Sequence, residues 1–194
     1  MNSFPHYFIG IPVSQPLQNA LSSWQDDLKN RLPYKQWPNK HDLHITLKFL
    51  GPVDERNIQS IKEIVKKLED FEEILLEVGG IGTFGNPKRP RVLWAGVKKN
   101  SELASLQAKT ETYMAACGFQ KEQRDYHPHI TLAKKWDGSA DKGIIANVKE
   151  QYQAKKYQLI AGEVVLYQIF PKQTPKYKVI SSYGLRGGAD GAAD

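Results

Sequence analysis

One four-residue run occurs twice in the sequence, as His44-Ile45-Thr46-Leu47 and as His129-Ile130-Thr131-Leu132. In an extended strand, successive side chains point to opposite faces. Each copy therefore presents an imidazole and a hydroxyl on one face and two aliphatic side chains on the other. The aliphatic pair can be buried while the polar pair looks into a cleft. Histidine titrates closest to neutrality, so one neutral ring can take a proton and one cationic ring can give one. Two such strands meeting across a gap would bring a general base and a general acid to one small space. Hydrolysis of a strained cyclic phosphodiester needs that pair. Water must lose a proton on one side of phosphorus, and the departing ribose oxygen must gain one on the other. The threonine hydroxyls suit the non-bridging phosphate oxygens, where transition-state charge sits. This chemistry requires no metal and no cofactor.

A lone His-x-Thr in a strand carries no such meaning. Two identical copies in different halves of the chain do, provided the remaining elements bring them together. Tyr7 to Ile11, closed by Pro12, reads as a buried strand. Ser14 as N-cap with Pro16 just inside predicts a helix carrying Leu17, Leu21, Trp24 and Leu28 on one stripe, stopped by Pro33. The first motif strand, Leu43 to Leu50, ends at Gly51-Pro52. Asp54-Glu55 then opens a second helix with its stripe at Ile58, Ile61, Val65 and Leu68. Ile74 to Val78 and Val92 to Val97 are strand candidates, joined by an expected loop from Gly79 to Pro90. A third helix runs through Leu103, Leu106, Tyr113, Met114 and Cys117, with Ser101 as N-cap and Gly118 as terminator. The second motif strand, His129 to Ala133, is followed by a weaker helix through Ile144, Ile145, Val148 and Tyr152. Late strands are expected over Tyr157 to Ile169 and Tyr177 to Leu185. The predicted architecture is α+β: one bilobal, duplicated domain over residues 1–186, with two antiparallel or mixed sheets facing a central cleft and helices outside. Residues 187–194, all Gly, Ala and Asp, read as a disordered tail.

Composition narrows the class further. Of 194 residues, 40% are hydrophobic and 25% charged, which excludes a disordered or membrane-embedded chain. The N-terminus has no basic, apolar leader pattern, and the single cysteine, Cys117, cannot form an internal disulfide. A cytoplasmic monomer is the expectation. The net charge of +6 favours an anionic partner, RNA or a phosphate ester first.

Two other patterns compete. Gly80-Ile81-Gly82-Thr83-Phe84-Gly85 satisfies G-x-G-x-x-G, but Pro87 and Pro90 follow where a dinucleotide site needs a helix start. A turn-rich connection is the expected reading, with Lys88, Arg89 and Arg91 solvated. His127-x-His129 with His41 or His44 could bind zinc, but no acidic or cysteine ligand pattern lies nearby. His6, His41 and His127 are otherwise read as structural or exposed. A non-catalytic RNA-binding module would use Trp37, Tyr126 and Trp136, yet it explains neither threonine.

The segments Leu43 to Gly51, Pro90 to Trp94 and Pro128 to Ala133 resemble the 2H phosphoesterase superfamily, and within it the RNA 2′,3′-cyclic phosphodiesterases, also called 2′-5′ RNA ligases. The resemblance runs from Tyr7 to about Leu185. It implies a bilobal fold and hydrolysis of a terminal 2′,3′-cyclic phosphate to a 2′-phosphate. It also implies His44 as proton donor to the 3′ oxygen, His129 as proton acceptor from water, and Thr46 and Thr131 as phosphate ligands. Substrates would be RNA ends, 2′-5′ linked oligonucleotides or small cyclic nucleotides. Many members carry Arg where this chain has Lys134, which can neutralise a phosphate but lacks the planar fork. Phe8 matches a groove-lining position where an aromatic could stack on a base.

Overall fold

The structure is a computed structural model, and it describes residues 4–138 and 143–187. The expected tail lies, apart from Gly187, outside the described residues. Among the described residues, nine strands and four α-helices form an α+β fold. The motif strands, β3 (His44–Pro52) and β6 (His129–Trp136), lie side by side at the centre, antiparallel, and their ladder consists of a single residue pair, Ile45 with Ile130. On the β3 side follow β1 (His6–Pro12), β8 (Glu163–Ile169) and β9 (Tyr177–Gly184). On the β6 side follow β5 (Arg89–Val97), β4 (Ile74–Asn86) and β7 (Lys156–Ala161), while the short β2 (Tyr34–Gln36) pairs with the far end of β6. The two expected sheets are thus one hydrogen-bonded path, pinched to one residue pair where the motifs meet.

Neither side is a contiguous stretch of chain. The stretch expected as one strand from Tyr157 to Ile169 is two, broken at Gly162: β7 pairs with β4 and β8 with β1, on opposite sides of the pinch. Period-two alternation does not reveal that the two pieces serve different partners. The expected loop from Gly79 to Pro90 is also corrected, since β4 and β5 form a hairpin through it. Gly82 in this hairpin makes room for a ring: a Cβ there would run into the indole of Trp94.

The motif strands bury the aliphatic side chains as their alternation demands. Ile45, Ile130 and Leu132 are fully buried and Leu47 nearly so, each worth roughly 1.5–3 kcal/mol. Helices cover this outer face. α1 (Gln15–Lys29) packs on β6, α3 (Ser101–Ala116) on β3 and α2 (Ile58–Val65), and α4 (Ile144–Tyr152) on β4. The N-cap of α3 is Asn100, one residue before the expected Ser101; its side chain accepts from the Leu103 amide at 2.8 Å. No described helix is long and apolar enough to cross a membrane.

Candidate active site

Both motif histidines are held in the same way. His44 Nδ1 lies 2.7 Å from the carbonyl oxygen of Asp42, and His129 Nδ1 lies 2.8 Å from that of His127. A carbonyl only accepts, so each Nδ1 carries the proton and each Nε2 is left as the working atom of a neutral ring. His44 Nε2 is 3.1 Å from Oγ1 of Thr46, its own motif hydroxyl. The anchor of His44 is itself braced. The Asp42 carboxylate is buried and accepts from the backbone amides of Lys176 at 2.9 Å and Tyr177 at 3.0 Å. That clamps the turn before β3 to the start of β9. Sequence reading missed Asp42, although its offset from His44 repeats that of His127 from His129.

A cavity of about 380 Å³ is lined by His44, Thr46, His129, Thr131 and Lys134 together. All four motif side chains that face away from the core therefore open on one space. The size suits a small ligand. Burial pushes the His44 imidazole down to about 4, outweighing the Asp42 carbonyl and reinforced by Lys134 and His129. Burial also lowers His129, with His127 and Lys134 adding to it. The ammonium of Lys134 is held below its ordinary value by desolvation and by the facing Lys176. The cavity thus gathers groups that would all be relieved by one anion.

Aromatic rings hold each imidazole. Phe8 sits 4.5 Å from the His44 ring centroid and Tyr177 5.2 Å, edge-on. Phe84 meets the His129 ring at 4.9 Å, also edge-on, and Trp94 lies 6.0 Å away. Phe8 also lines the cavity, the groove-lining position expected of it, but it is only 3% exposed and its ring is packed between His44 and Tyr167, the latter stacked at 4.8 Å, which leaves little of its face open. His127 is exposed with its ring against Trp94 at 4.8 Å, His41 is exposed in a short turn, and His6 lies edge-on to Phe49. Among the described residues no group of three or more His, Cys, Asp or Glu side chains converges as a metal site. Trp37, Tyr126 and Trp136 do not share a face. Trp37 and Trp136 pack edge-on against Tyr34, while the Tyr126 hydroxyl donates to the Thr46 carbonyl at 3.1 Å.

Comparison with known proteins shows the family and the fold. Residues 13–168 match the model of the 2′-5′ RNA ligase superfamily. The chain is 37% identical over 187 residues to the RNA 2′,3′-cyclic phosphodiesterase of Bacillus subtilis, covering 93% of this chain and 97% of that one. It is 33% identical over 190 residues to the protein of the same name from Geobacillus stearothermophilus, covering 96% of this chain but 59% of the relative's length. Among solved structures, E. coli LigT complexed with 3′-AMP superposes with a TM-score of 0.77 at 19% identity, over 94% of this chain and 99% of that one. TT0787 of Thermus thermophilus superposes with a TM-score of 0.74 at 21% identity, over 94% and 99%.

Proposed function

Because this chain belongs to the 2′-5′ RNA ligase superfamily, we propose that it hydrolyses the 2′,3′-cyclic phosphate at an RNA end to a 2′-phosphate, with its two motif histidines as the proton-transfer pair. The single observation that carries this reading is the shared cavity lined by both imidazoles and both motif hydroxyls.

His129 Nε2 takes a proton from the attacking water as the new P–O bond forms. The P–O3′ bond breaks in line, and His44 Nε2–H delivers its proton to O3′. Thr46 and Thr131 donate to the non-bridging oxygens, and Lys134 neutralises their charge. In the free protein at neutral pH both rings are uncharged, because burial lowers both. The negatively charged diester reverses this at His44: an anion beside a desolvated ring favours the imidazolium. The proton donor is thereby loaded with the substrate. A ring whose own affinity for the proton is low then releases it readily to the developing alkoxide.

The test is a substrate panel of cyclic-phosphate-ended RNA, 2′,3′-cyclic mononucleotides and 2′-5′ dinucleotides, with products read by phosphorus NMR. A 2′-phosphomonoester from the cyclic ends is expected. A 3′-phosphate product would contradict the assignment of leaving oxygen, and binding without turnover at any pH would leave a binding module.

A further inference from the structure

The catalytic cavity does not end at the motifs. It opens into a trough of about 970 Å³, and the two share Thr46, Phe49, Phe84, Arg124, His129 and Lys134. The smaller space already sits in the range of a small-ligand pocket, so the trough is surplus to a mononucleotide. Its lining combines the exposed cations Arg91, Lys121 and Arg124, the last paired with Glu122 at 2.7 Å, with the aromatics Phe49, Phe84 and Tyr126; the acids Glu111 and Asp125 line it as well. Cations interleaved with rings are how proteins hold single-stranded nucleic acid.

One backbone irregularity builds both the wall and its platform. Thr46 pairs with Gly10 and Lys48 with Ile9, so Leu47 is an extra residue in β3. Beyond this bulge the facing alternation flips. Lys48 turns inward, where its ammonium pairs with Glu111 at 2.8 Å and donates to the Gln120 carbonyl at 2.6 Å. The same Glu111 oxygen accepts from the Glu122 amide at 3.2 Å, which ties the segment bearing Lys121 and Arg124 to α3. Phe49 turns outward and stands 57% exposed at the junction of cavity and trough. A large apolar ring left in the open beside a charged groove is a surface waiting for a flat partner.

We propose that the trough receives the nucleotide immediately 5′ of the reacting end, its base stacked on Phe49 and its phosphate met by Arg91 and Lys121. The inference rests on the RNA-end reading of the cavity, and it makes this chain an enzyme of strands in preference to free cyclic nucleotides. Phe49, not Phe8, is then the base platform.

The test measures binding and turnover separately. A nucleoside 3′-phosphate and a trinucleotide 3′-phosphate are titrated into the protein, and kcat/KM is measured for the matching cyclic forms. The trinucleotide should bind and react about tenfold or more better than the mononucleotide, the advantage expected for one stacked base. Phe49→Ala should bring that ratio close to one, Phe49→Tyr should keep it, and Arg91→Gln should reduce its dependence on salt. Equal binding of the two lengths, or a ratio unchanged in Phe49→Ala, overturns the proposal. Length-dependent binding without any hydrolysis would instead overturn the reaction and leave the trough standing.

Discussion

The two motif strands repeat four residues in order, but their surroundings do not repeat. Beside His44, the neighbouring strand β1 places Gly10 opposite Thr46; beside His129, β5 places Trp94 opposite Thr131. On the first side the backbone closes in. A Cβ on Gly10 would lie 2.8 Å from the Ile45 carbonyl and 3.5 Å from Cδ2 of His44. Phe8, Tyr167 and Tyr177 fill the rest. On the second side Trp94 lies over Gly82, and His129 keeps the exposed His127 for a neighbour. In the proposed reaction the motif supplies the reacting atoms twice, and the strands beside it make the two copies unequal. Duplicated groups in different environments are how one site obtains an acid and a base from the same side chain.

Removing either imidazole should be the largest single effect. His44→Ala and His129→Ala should each lower kcat by about 10²- to 10⁴-fold on a cyclic-phosphate end, with the thermal midpoint little changed. If one of them kept full activity, the pair would not act as a pair. A smaller effect comes from filling the close approaches. Gly82→Ala must move Trp94 and should destabilise the fold by about 1–3 kcal/mol, disturbing the His129 side; Gly10→Ala should do the same on the His44 side. Equal stability of both variants to the parent chain, in denaturant melts, would mean that the sides are looser than their contacts indicate.

The inequality also sets pH behaviour. A base must be neutral and an acid protonated, and in the free protein both rings lie below the ordinary histidine value. The kcat/KM profile should therefore be bell-shaped with its maximum below about pH 6.5, its limbs belonging to the coupled pair. The kcat maximum should lie higher, because the bound diester holds the proton on His44. A flat profile from pH 5 to 9 would remove the mechanism. The same ring also makes stability depend on pH. The folded protein resists protonating His44 until about pH 4, whereas the unfolded chain takes that proton near 6.5. Stability is then complete above pH 6.5 and declines as the pH falls towards 4, by at most about 1.4 kcal/mol per unit for this ring. His44→Gln should flatten that slope in acid melts; an unchanged slope would assign it elsewhere.

The facing of His44, Thr46, His129 and Thr131 was legible in the sequence because it depends on strand periodicity alone, and the aliphatic partners between them carry the same signal. The helix of Leu17, Leu21, Trp24 and Leu28 was legible for the same reason, through its apolar stripe. Phe49 was not. Its exposure follows from the bulge at Leu47, which no local pattern announces, and from a pairing with β1 that only the folded sheet defines. The hairpin through Gly79 to Pro90 was hidden because its glycines read as turn residues, when Gly82 is there to admit Trp94 from the next strand. Asp42 was hidden because its role belongs to its backbone carbonyl and to contacts with Lys176 and Tyr177, far along the chain. What escaped the sequence is in each case set by contact with another strand, which the local pattern does not name.

The most direct measurement is a crystal structure of the protein with a uridine–vanadate complex, a five-coordinate mimic of the phosphorus in flight. The two Nε2 atoms should each lie about 2.6–3.2 Å from an apical oxygen, His129 on the water side and His44 on the O3′ side. A complex in which only one imidazole reaches the vanadate, or in which both contact the same oxygen, would contradict the paired-histidine account.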